Sequence, residues 1–574
     1  MVWTATSPSS LVLWLGAGIS VDSPTNGPRG TDLTHRALDG FMMPSTAATI
    51  RDLYDTLQVP NADMRPRLET VLDAVFEVYG ARGLRSALND LEGPPSNAHH
   101  EFLNTLGRAG ASLITANFDT CIERSSGSPA EVVHFHGELA PHGDIAGLGA
   151  RLGVIENGFP APLVARLDHE LSRADVEWLV VIGYSGSDFF DATPYLVERL
   201  SGPGAPRVLW YEYSTEAFDW DADADIPGRD LLARLRGSGV QVTAVKGPLR
   251  DLFARMSGLW GLPLPHPGTA LARRDWTGDF EPSEPERRAA SAALFARMGY
   301  RAGVIDAYSE QRALSPVEWD RLADAYWGAG RYRKARAAWE AAFSGGTLED
   351  RARRAERRGA IKWVRGDLLA AERTLWRAIR RWASPETAVS DRAKAALLET
   401  YGRVVQHMER MPDARWFVRR GRARQVGARL AEVRASMSGS EGVALRARLA
   451  NVARALEHAP DEGLAQHRDA FSESEALSSW LNYEHSWLRE RATSPAHAGS
   501  RPDRADYAVQ ASRERAIGAT GDLARVYMIP GATAHYRVGE FWRALKPVEF
   551  TGWHKARMIV GYAIQRYRHL LKRG

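Results

Sequence analysis

Four short segments of the 574-residue chain combine glycine with polar side chains, and each follows an apolar run. They are Gly16-Ala17-Gly18-Ile19-Ser20, Thr115-Ala116-Asn117-Phe118-Asp119, His134-Phe135-His136-Gly137 and Gly183-Tyr184-Ser185-Gly186. A glycine turn that leads into a helix lets backbone N–H groups approach a phosphate. Histidine changes charge near pH 6.5 and suits a base, whereas asparagine orients water or an amide without acting as a nucleophile. The four segments predict one pocket.

Strands alternating with helices must position these segments. The apolar or β-branched runs predict strands over residues 11–15, 112–115, 132–135, 178–182, 207–211 and 240–245. Between them lie helical patterns, such as residues 66–79, where Val71, Leu72 and Val75 share a stripe. This order predicts an α/β fold with a Rossmann-like, doubly wound parallel sheet, whose ligands bind at the carboxyl ends of the strands.

The order of these motifs resembles the sirtuin family, specifically the bacterial branch of sirtuin-like NAD-cleaving domains. That family carries GAGxS, T-x-N-[YFI]-D, HG and G-x-S, here Gly16–Ser20, Thr115–Asp119, His136-Gly137 and Gly183–Ser185. The stretch Pro95-Ser96-Asn97-Ala98-His99 is similar to the family's segment before the asparagine motif. The resemblance covers roughly residues 10–260.

The resemblance implies that NAD is the substrate and binds across the sheet. The pyrophosphate would lie at Gly16, Ala17, Gly18 and Ser20. Thr115 opens the asparagine motif, and the nicotinamide and its ribose would lie near Asn117, Asp119 and His136, the expected catalytic residues. The adenosine side would lie near Gly183 and Ser185. Asp22 either contacts the nicotinamide pocket, as residues of that loop do in the family, or has a capping or loop role.

One cysteine, Cys121, excludes an intrachain disulfide and any zinc site built from several thiolates. Sirtuin deacylases carry four cysteine zinc ligands and Gln where this chain has Ala116. Both departures disfavour deacylation and leave water as the expected acceptor of the ADP-ribosyl group, with no metal. We therefore expect NAD⁺ hydrolysis to nicotinamide and ADP-ribose. ADP-ribosyl transfer or deacylation, and nucleotide sensing without turnover, stay open as alternatives.

Several nearby residues have a structural interpretation. His134 and His136 are expected to face opposite sides of their strand and not to share a metal, so His134 is expected to be structural. His99 and Cys121 are expected to pack in the interior. Asp188 and Asp191 either bind ribose or cap a helix, and the cap is favoured.

The second half changes period and predicts an all-α region. The segment from Leu322 to Ala342 resembles a tetratricopeptide repeat, with a second copy 36 residues on, through Gly359, Gly366 and Ala378. A third, weaker copy runs from Tyr401 through Met411 to Val418. An irregular helical bundle is the alternative. The expected domains are a catalytic domain over 1–262, a linker over 263–286 and a helical sensor or assembly region over 287–574.

The two halves differ in charge. Residues 1–284 carry 22 basic and 37 acidic side chains, a net charge of −15, whereas the remainder carries 52 and 33, a net charge of +19. Nucleic-acid binding by the basic half is possible, but a solvated helical face balanced by the acidic half is favoured.

A sirtuin-like domain fused to a helical region resembles bacterial antiphage effectors that deplete NAD. The resemblance implies a homo-oligomer that is inactive until a phage-derived protein or another partner engages the helical region. The longest apolar runs are far shorter than the ~20 residues of a membrane span, so a cytoplasmic protein without membrane association is expected.

Overall fold

Six parallel strands form one sheet in the first part of the chain. The computed structural model describes residues 5–409 apart from 60–64, 126–127, 140–142, 144, 156–157, 187–190, 203, 220–228, 267–279, 310–312 and 385, and 477–571 apart from 478–480, 482–483, 486, 489–490, 493–500, 520–525, 528, 530–531 and 551. The strands are β1 (Leu11–Leu15), β2 (Ser112–Thr115), β3 (Val132–His134), β4 (Trp178–Ile182), β5 (Arg207–Tyr213) and β6 (Val242–Gly247). The sequence therefore predicted each strand of this sheet to within about two residues at its ends.

The strand order is β3-β2-β1-β4-β5-β6, the order of doubly wound nucleotide-binding sheets. The order reverses between β1 and β4, so the loops after these two strands diverge to form a crevice. The register aligns Leu15 with both Thr115 and Ile182, and Thr115 with His134. The four motif-bearing loops therefore leave the sheet at one edge.

Helices cover both faces of the sheet because its central strands are apolar on both sides. The helices in this first part of the chain are α1 (Gly30–Phe41), α2 (Thr46–Leu57), α3 (Leu68–Ala87), α4 (Ala98–Arg108), α5 (Leu152–Ile155), α6 (Ala161–Leu171), α7 (Ala192–Leu200), α8 (Arg229–Gly237) and α9 (Leu249–Trp260). Of these, α2 belongs almost entirely to the helical unit described below. Leu11, Leu13 and Leu15 pack with α4 and α9, whereas Val12 and Trp14 pack with α6, α7 and α8. The expected α/β sheet is confirmed.

One expectation at the first glycine turn is wrong. No α-helix follows Gly16-Ala17-Gly18 directly; a single 3₁₀ turn spans Ala17–Ser20, and α1 begins only at Gly30. The cis peptide bond between Ser23 and Pro24 lies in this intervening loop. The turn therefore offers no α-helix N-terminus or helix dipole to a phosphate.

The second part of the chain is helical throughout its described residues. Its helices are α10 (Glu284–Met298), α11 (Arg301–Tyr308), α12 (Pro316–Gly328), α13 (Tyr332–Ala342), α14 (Leu348–Val364), α15 (Leu368–Trp382), α16 (Asp391–Glu409), α17 (Arg504–Ala516), α18 (Ala532–His535), α19 (Val538–Leu545) and α20 (Gly552–Leu571). Among the described residues, no helix combines the length and the apolar character that crossing a membrane requires.

Two helix hairpins repeat with a spacing of 36 residues, α12 with α13 and α14 with α15. Gly330 and Gly366 end the first helix of each with φ of 73° and 90°. The N–H that follows each glycine donates back to Tyr326 in one hairpin and to Lys362 in the other, at 2.8 and 2.9 Å. The two hairpins therefore share one cap geometry at the same spacing. Of the third copy, Tyr401 and Val405 lie on α16, whereas Met411 to Val418 lie outside the described residues.

The chain divides into two units, and the division is not a single cut. One unit comprises residues 1–47 and 63–290, and the other comprises 48–62 and 291–574. The sequence did not predict that residues 48–62 join the helical unit.

Candidate functional site

The loops after β1 and β4 touch through their backbones. Gly16 N–H donates to Ile182 O and Gly18 N–H donates to Gly183 O, both at 3.0 Å. A Cβ atom at Gly16 would lie 2.5 Å from Gly183 O, and one at Gly18 would lie 2.7 Å from Gly183 Cα. Close packing of the two loops thus accounts for these glycines by itself, and it leaves Ala17 half-buried and Gly18 exposed.

Ser20, Asn117 and Asp119 form a buried hydrogen-bond network beside these loops. The Ser20 hydroxyl donates to Asp119 Oδ2 at 3.1 Å and accepts from Asn117 Nδ2 at 3.1 Å. Asn117 Nδ2 also donates to Asp119 Oδ2 at 3.3 Å, and Asp119 Oδ1 accepts from the backbone N–H of Cys121. Three residues that the sequence singled out separately therefore act as one structural group.

His100 completes this network and was missed in the sequence. Helix α4 begins with a capping box in which Asn97 Oδ1 accepts from the His100 N–H and His100 Nδ1 accepts from the Asn97 N–H. The proton of the neutral ring therefore lies on Nε2, which donates to the Ser20 hydroxyl at 3.1 Å. Burial lowers the pKa of His100 to about 4, so the ring is neutral at pH 7.

The sequence signal for His100 is the spacing of Asn97 and His100, a cap residue followed three positions on by a side chain that returns to it. Asn97 also ties α4 to the first loop, because its Nδ2 donates to Ile19 O and Asp22 O at 3.0 and 3.1 Å. The helix cap and the glycine loop therefore hold the network from two sides.

The side-chain amide oxygen of Asn117, Oδ1, accepts no hydrogen bond within this network. Asn117 is 8% exposed, and its Oδ1 has no hydrogen-bond partner. The amide orientation is fixed, because Nδ2 faces the acceptor-only carboxylate of Asp119. An unpaired buried acceptor costs about 1–3 kcal/mol, which a ligand or water at Oδ1 would recover.

His136 is oriented by a carboxylate from another loop. His136 Nε2 lies 3.0 Å from Asp191 Oδ2, and the two residues are 7% and 4% exposed. Asp191 also caps α7, since its Oδ1 accepts from the Ala192 N–H. The carboxylate can only accept, so in the neutral ring Nε2 carries the proton and Nδ1 carries the lone pair. The expected cap is confirmed, and the contact with His136 is additional.

His134 contacts different partners from His136. The expectation that the two face opposite sides of a strand is wrong, because residues two apart on a strand face the same side; instead β3 ends at His134, and His136 lies in the turn after it. His134 Nδ1 donates to Asn117 O at 2.8 Å and Nε2 lies 2.6 Å from Glu123 Oε1. Both ring nitrogens face acceptors. Although burial opposes the charged form, the hydrogen bond and charge of Glu123 outweigh it and raise the pKa of His134. His134 therefore fixes the backbone at Asn117.

Of the other predicted residues, Thr115 supports the turn at Asn117, whereas the Asp22 carboxylate lies apart from the Ser20 network. Thr115 Oγ1 accepts from the Asn117 N–H at 3.0 Å and shapes the turn. The Asp22 carboxylate is 53% exposed and lies 3.6 Å from His99 Nδ1, outside the Ser20 network. Ser185 is half-buried after β4. Asp188 lies outside the described residues.

Two interior residues pack as the sequence predicts. The His99 ring lies 5.6 Å from that of Phe253, centroid to centroid, and Cys121 is fully buried. Burial, with the charge of Asp119, raises the pKa of the Cys121 thiol, which stays protonated. Ligand atoms of His100, Asp119 and Cys121 lie within 4.8 Å of one another, but a protonated thiol and two committed imidazole nitrogens make a poor metal donor set.

The network is not a serine-hydrolase triad, although it contains serine, histidine and aspartate. In a triad the carboxylate contacts the histidine, and the free imidazole nitrogen takes the serine proton. Here Asp119 contacts Ser20 directly, and His100 Nε2 already carries a proton. Ser20 has filled its one donor and two acceptor positions and therefore positions its neighbours.

No protein-family model matches the sequence, and no curated protein is similar to it beyond chance.

Proposed function

We propose that the chain is an NAD⁺ glycohydrolase. Water attacks C1′ of the nicotinamide ribose, the bond from C1′ to the pyridinium nitrogen breaks, and nicotinamide leaves with the bonding electrons. A proton of the water passes to a base. The products are nicotinamide, ADP-ribose and one proton. The resemblance of four ordered motifs to sirtuin-like domains supports this choice of substrate.

The observation that carries the proposal is the buried side-chain oxygen of Asn117, Oδ1, which has no hydrogen-bond partner. Cleavage passes through a ribosyl cation, which a fixed, partially negative oxygen stabilises most in a buried site. Ser20 and Asp119 hold the amide nitrogen, so the oxygen need not reorganise during the reaction. Asn117 Oδ1 therefore faces C1′ or accepts a hydrogen bond from the attacking water.

His136 is the proposed base. Asp191 holds the proton on Nε2 and stabilises the imidazolium that forms, and Nδ1 is the proposed acceptor of the water proton. The Phe118 ring, next to Asn117, lies 6.4 Å from the His136 ring. The loops that carry the two residues are therefore neighbours.

The glycine loops are the proposed cofactor-side contacts. Strand order supports a dinucleotide in the crevice between β1 and β4, with the pyrophosphate at Gly16, Ala17 and Gly18 and the adenosine side at Gly183 and Ser185. Ser20 is proposed to position Asn117, because its hydroxyl has no hydrogen-bonding position left for a phosphate.

We also propose that this activity serves antiphage defence by depleting NAD, with the helical region as the sensor or the assembly surface of a homo-oligomer. The support is the resemblance in domain order, together with the repeated helix hairpins that offer binding surfaces. Nicotinamide measured in lysates of infected and uninfected cells would test this role. Equal release in both, from an active enzyme, would contradict it.

The test of the reaction is nicotinamide release by the purified full chain, followed by chromatography. Asn117→Ala and His136→Ala should each lower the rate about a thousandfold, as expected for loss of a transition-state contact or the base. His169→Ala, at an exposed position on α6, is the matched control and should retain full activity. Wild-type rates in both site variants, with unchanged circular dichroism, would exclude the proposed site.

A further inference from the structure

A cavity lies within the helical unit, between α11, α12 and α13. Its volume is about 250 Å³, and its walls include Tyr308, Ser309, Trp319, Leu322, Tyr326 and Lys334. Three of these six side chains are aromatic and one is cationic. Helices α11, α12 and α13 therefore line a small, partly open chamber whose aromatic and cationic side chains distinguish it from an ordinary apolar core.

Tyr308 gives this chamber an unused polar group. The residue is 1% exposed, and its hydroxyl has no hydrogen-bond partner. Burial, with the charge of Glu318, raises the pKa of Tyr308, so the hydroxyl keeps its proton and can donate. Buried hydroxyls in folded proteins nearly always have a partner. A ligand acceptor would supply it here.

Lys334 gives the chamber a positive rim. Its Nζ lies 5.4 Å from the centre of the Tyr326 ring, and Lys334 has no carboxylate partner within the described part of the chain. The neighbouring cation on α13, Arg336, differs in this respect because its Nε donates to Glu340 at 2.9 Å. Lys334 is therefore available to an anion beside the aromatic wall.

We propose that this cavity binds a nucleoside monophosphate. Trp319 and Tyr326 stack on the base, as aromatic side chains do in sequence-tolerant nucleotide sites, and Lys334 holds the phosphate. Tyr308 donates to an acceptor on the base or the ribose. The volume of about 250 Å³ lies below the roughly 300–1,000 Å³ of most ligand pockets, so the cavity is too small for a dinucleotide. This inference does not rest on the NAD proposal.

The test is isothermal titration calorimetry of the full chain with AMP, GMP, CMP and UMP, alongside adenosine and inorganic phosphate. We expect at least one nucleotide to bind with a Kd well below millimolar, and adenosine and phosphate to bind at least about tenfold more weakly. Tyr308→Phe removes only the hydroxyl, and Lys334→Ala removes the rim charge. Each should raise the Kd about tenfold, whereas Arg336→Ala, the matched control on α13, should not change it.

Two outcomes would overturn the proposal. One is the absence of binding by all four nucleotides at millimolar concentration. The other is binding with the same Kd in wild type, Tyr308→Phe and Lys334→Ala, because the nucleotide then occupies another place, such as the crevice of the sheet. Circular dichroism of the variants shows that a lost signal is not lost folding.

Discussion

The edge of the sheet and the helix hairpins both depend on glycine, but in opposite ways. Gly16, Gly18 and Gly183 bring two backbones into contact, so a side chain at any of them would meet main-chain atoms. Gly330 and Gly366 instead end helices with positive φ. In the hairpins, glycine is required because its own φ is positive. At the sheet edge, glycine is required because the backbone of another loop leaves no room for a side chain.

The Ser20 network at the sheet edge and the ion pair between the hairpins differ in their exposure to solvent. At the sheet edge, Ser20, His100 and Asp119 are buried and bonded to one another. Between the hairpins, Arg353 and Asp320 lie 3.1 Å apart and keep 34% and 19% of their side-chain surface exposed. A partly solvated pair of this kind contributes little to stability, whereas a closed network fixes geometry. Three predictions test the difference.

The largest expected effect is on the proposed reaction, through Asp191→Asn. Asparagine still caps α7, but its amide can donate to Nε2 of His136. The imidazole proton then lies on Nδ1, the nitrogen that must accept the proton of water. Nicotinamide release should therefore fall about a thousandfold.

Asp175→Asn is the matched control, since Asp175 is 55% exposed and pairs only loosely with Arg173. A wild-type rate in Asp191→Asn would mean that Asp191 acts only as a helix cap.

The next effect is on stability, and it compares one glycine from each region. Gly183→Ala should destabilise the sheet edge by about 4 kcal/mol, because φ is +67° and the new Cβ lies 2.9 Å from Gly18 Cα. Gly346→Ala, between α13 and α14, has φ of +76° but nothing within 4 Å, and should cost only about 1 kcal/mol.

Hydrogen exchange of peptides from β1 and α13 in the full chain reports the two regions separately. Equal losses for the two variants would show that backbone conformation alone, and not the contact between the loops, makes Gly183 necessary.

The smallest effect is the pH dependence that His100 gives the sheet edge. Its folded pKa of about 4 lies below the ordinary value of 6.5, so the unfolded chain binds the proton first as pH falls. Stability should be fully present above pH 6.5 and decrease by about 3 kcal/mol between pH 6.5 and 4.

His100→Gln lacks this contribution, so the stability of α4, measured by hydrogen exchange corrected for pH, should fall about 3 kcal/mol less over that range. Parallel curves for wild type and variant would mean that His100 is not buried as a neutral ring. His134 has the opposite sign, because its stabilising ion pair with Glu123 is lost as pH rises through its raised pKa.

Most of the sheet could be predicted from sequence because its strands are buried on both faces and read as continuous apolar runs. The residues at strand ends could be predicted for the same reason, since parallel strands bring their carboxyl ends together. The sequence could not show that His100 reaches Ser20, because the cap at Asn97 fixes the orientation of its ring. It also could not show that Asp191 reaches His136, which lies 55 residues away along the chain. The 3₁₀ turn after Gly18 was missed because a glycine turn usually precedes a helix.

Asp191 makes the orientation of His136 depend on the position of a whole helix. One carboxyl group anchors the first turn of α7 with one oxygen and the imidazole with the other. A displacement of α7 by about the length of a hydrogen bond would separate Asp191 from the His136 ring, so the position of α7 controls whether the proposed base is correctly oriented. A substitution on the outer surface of α7, which touches no substrate, would then change the rate of nicotinamide release through Asp191.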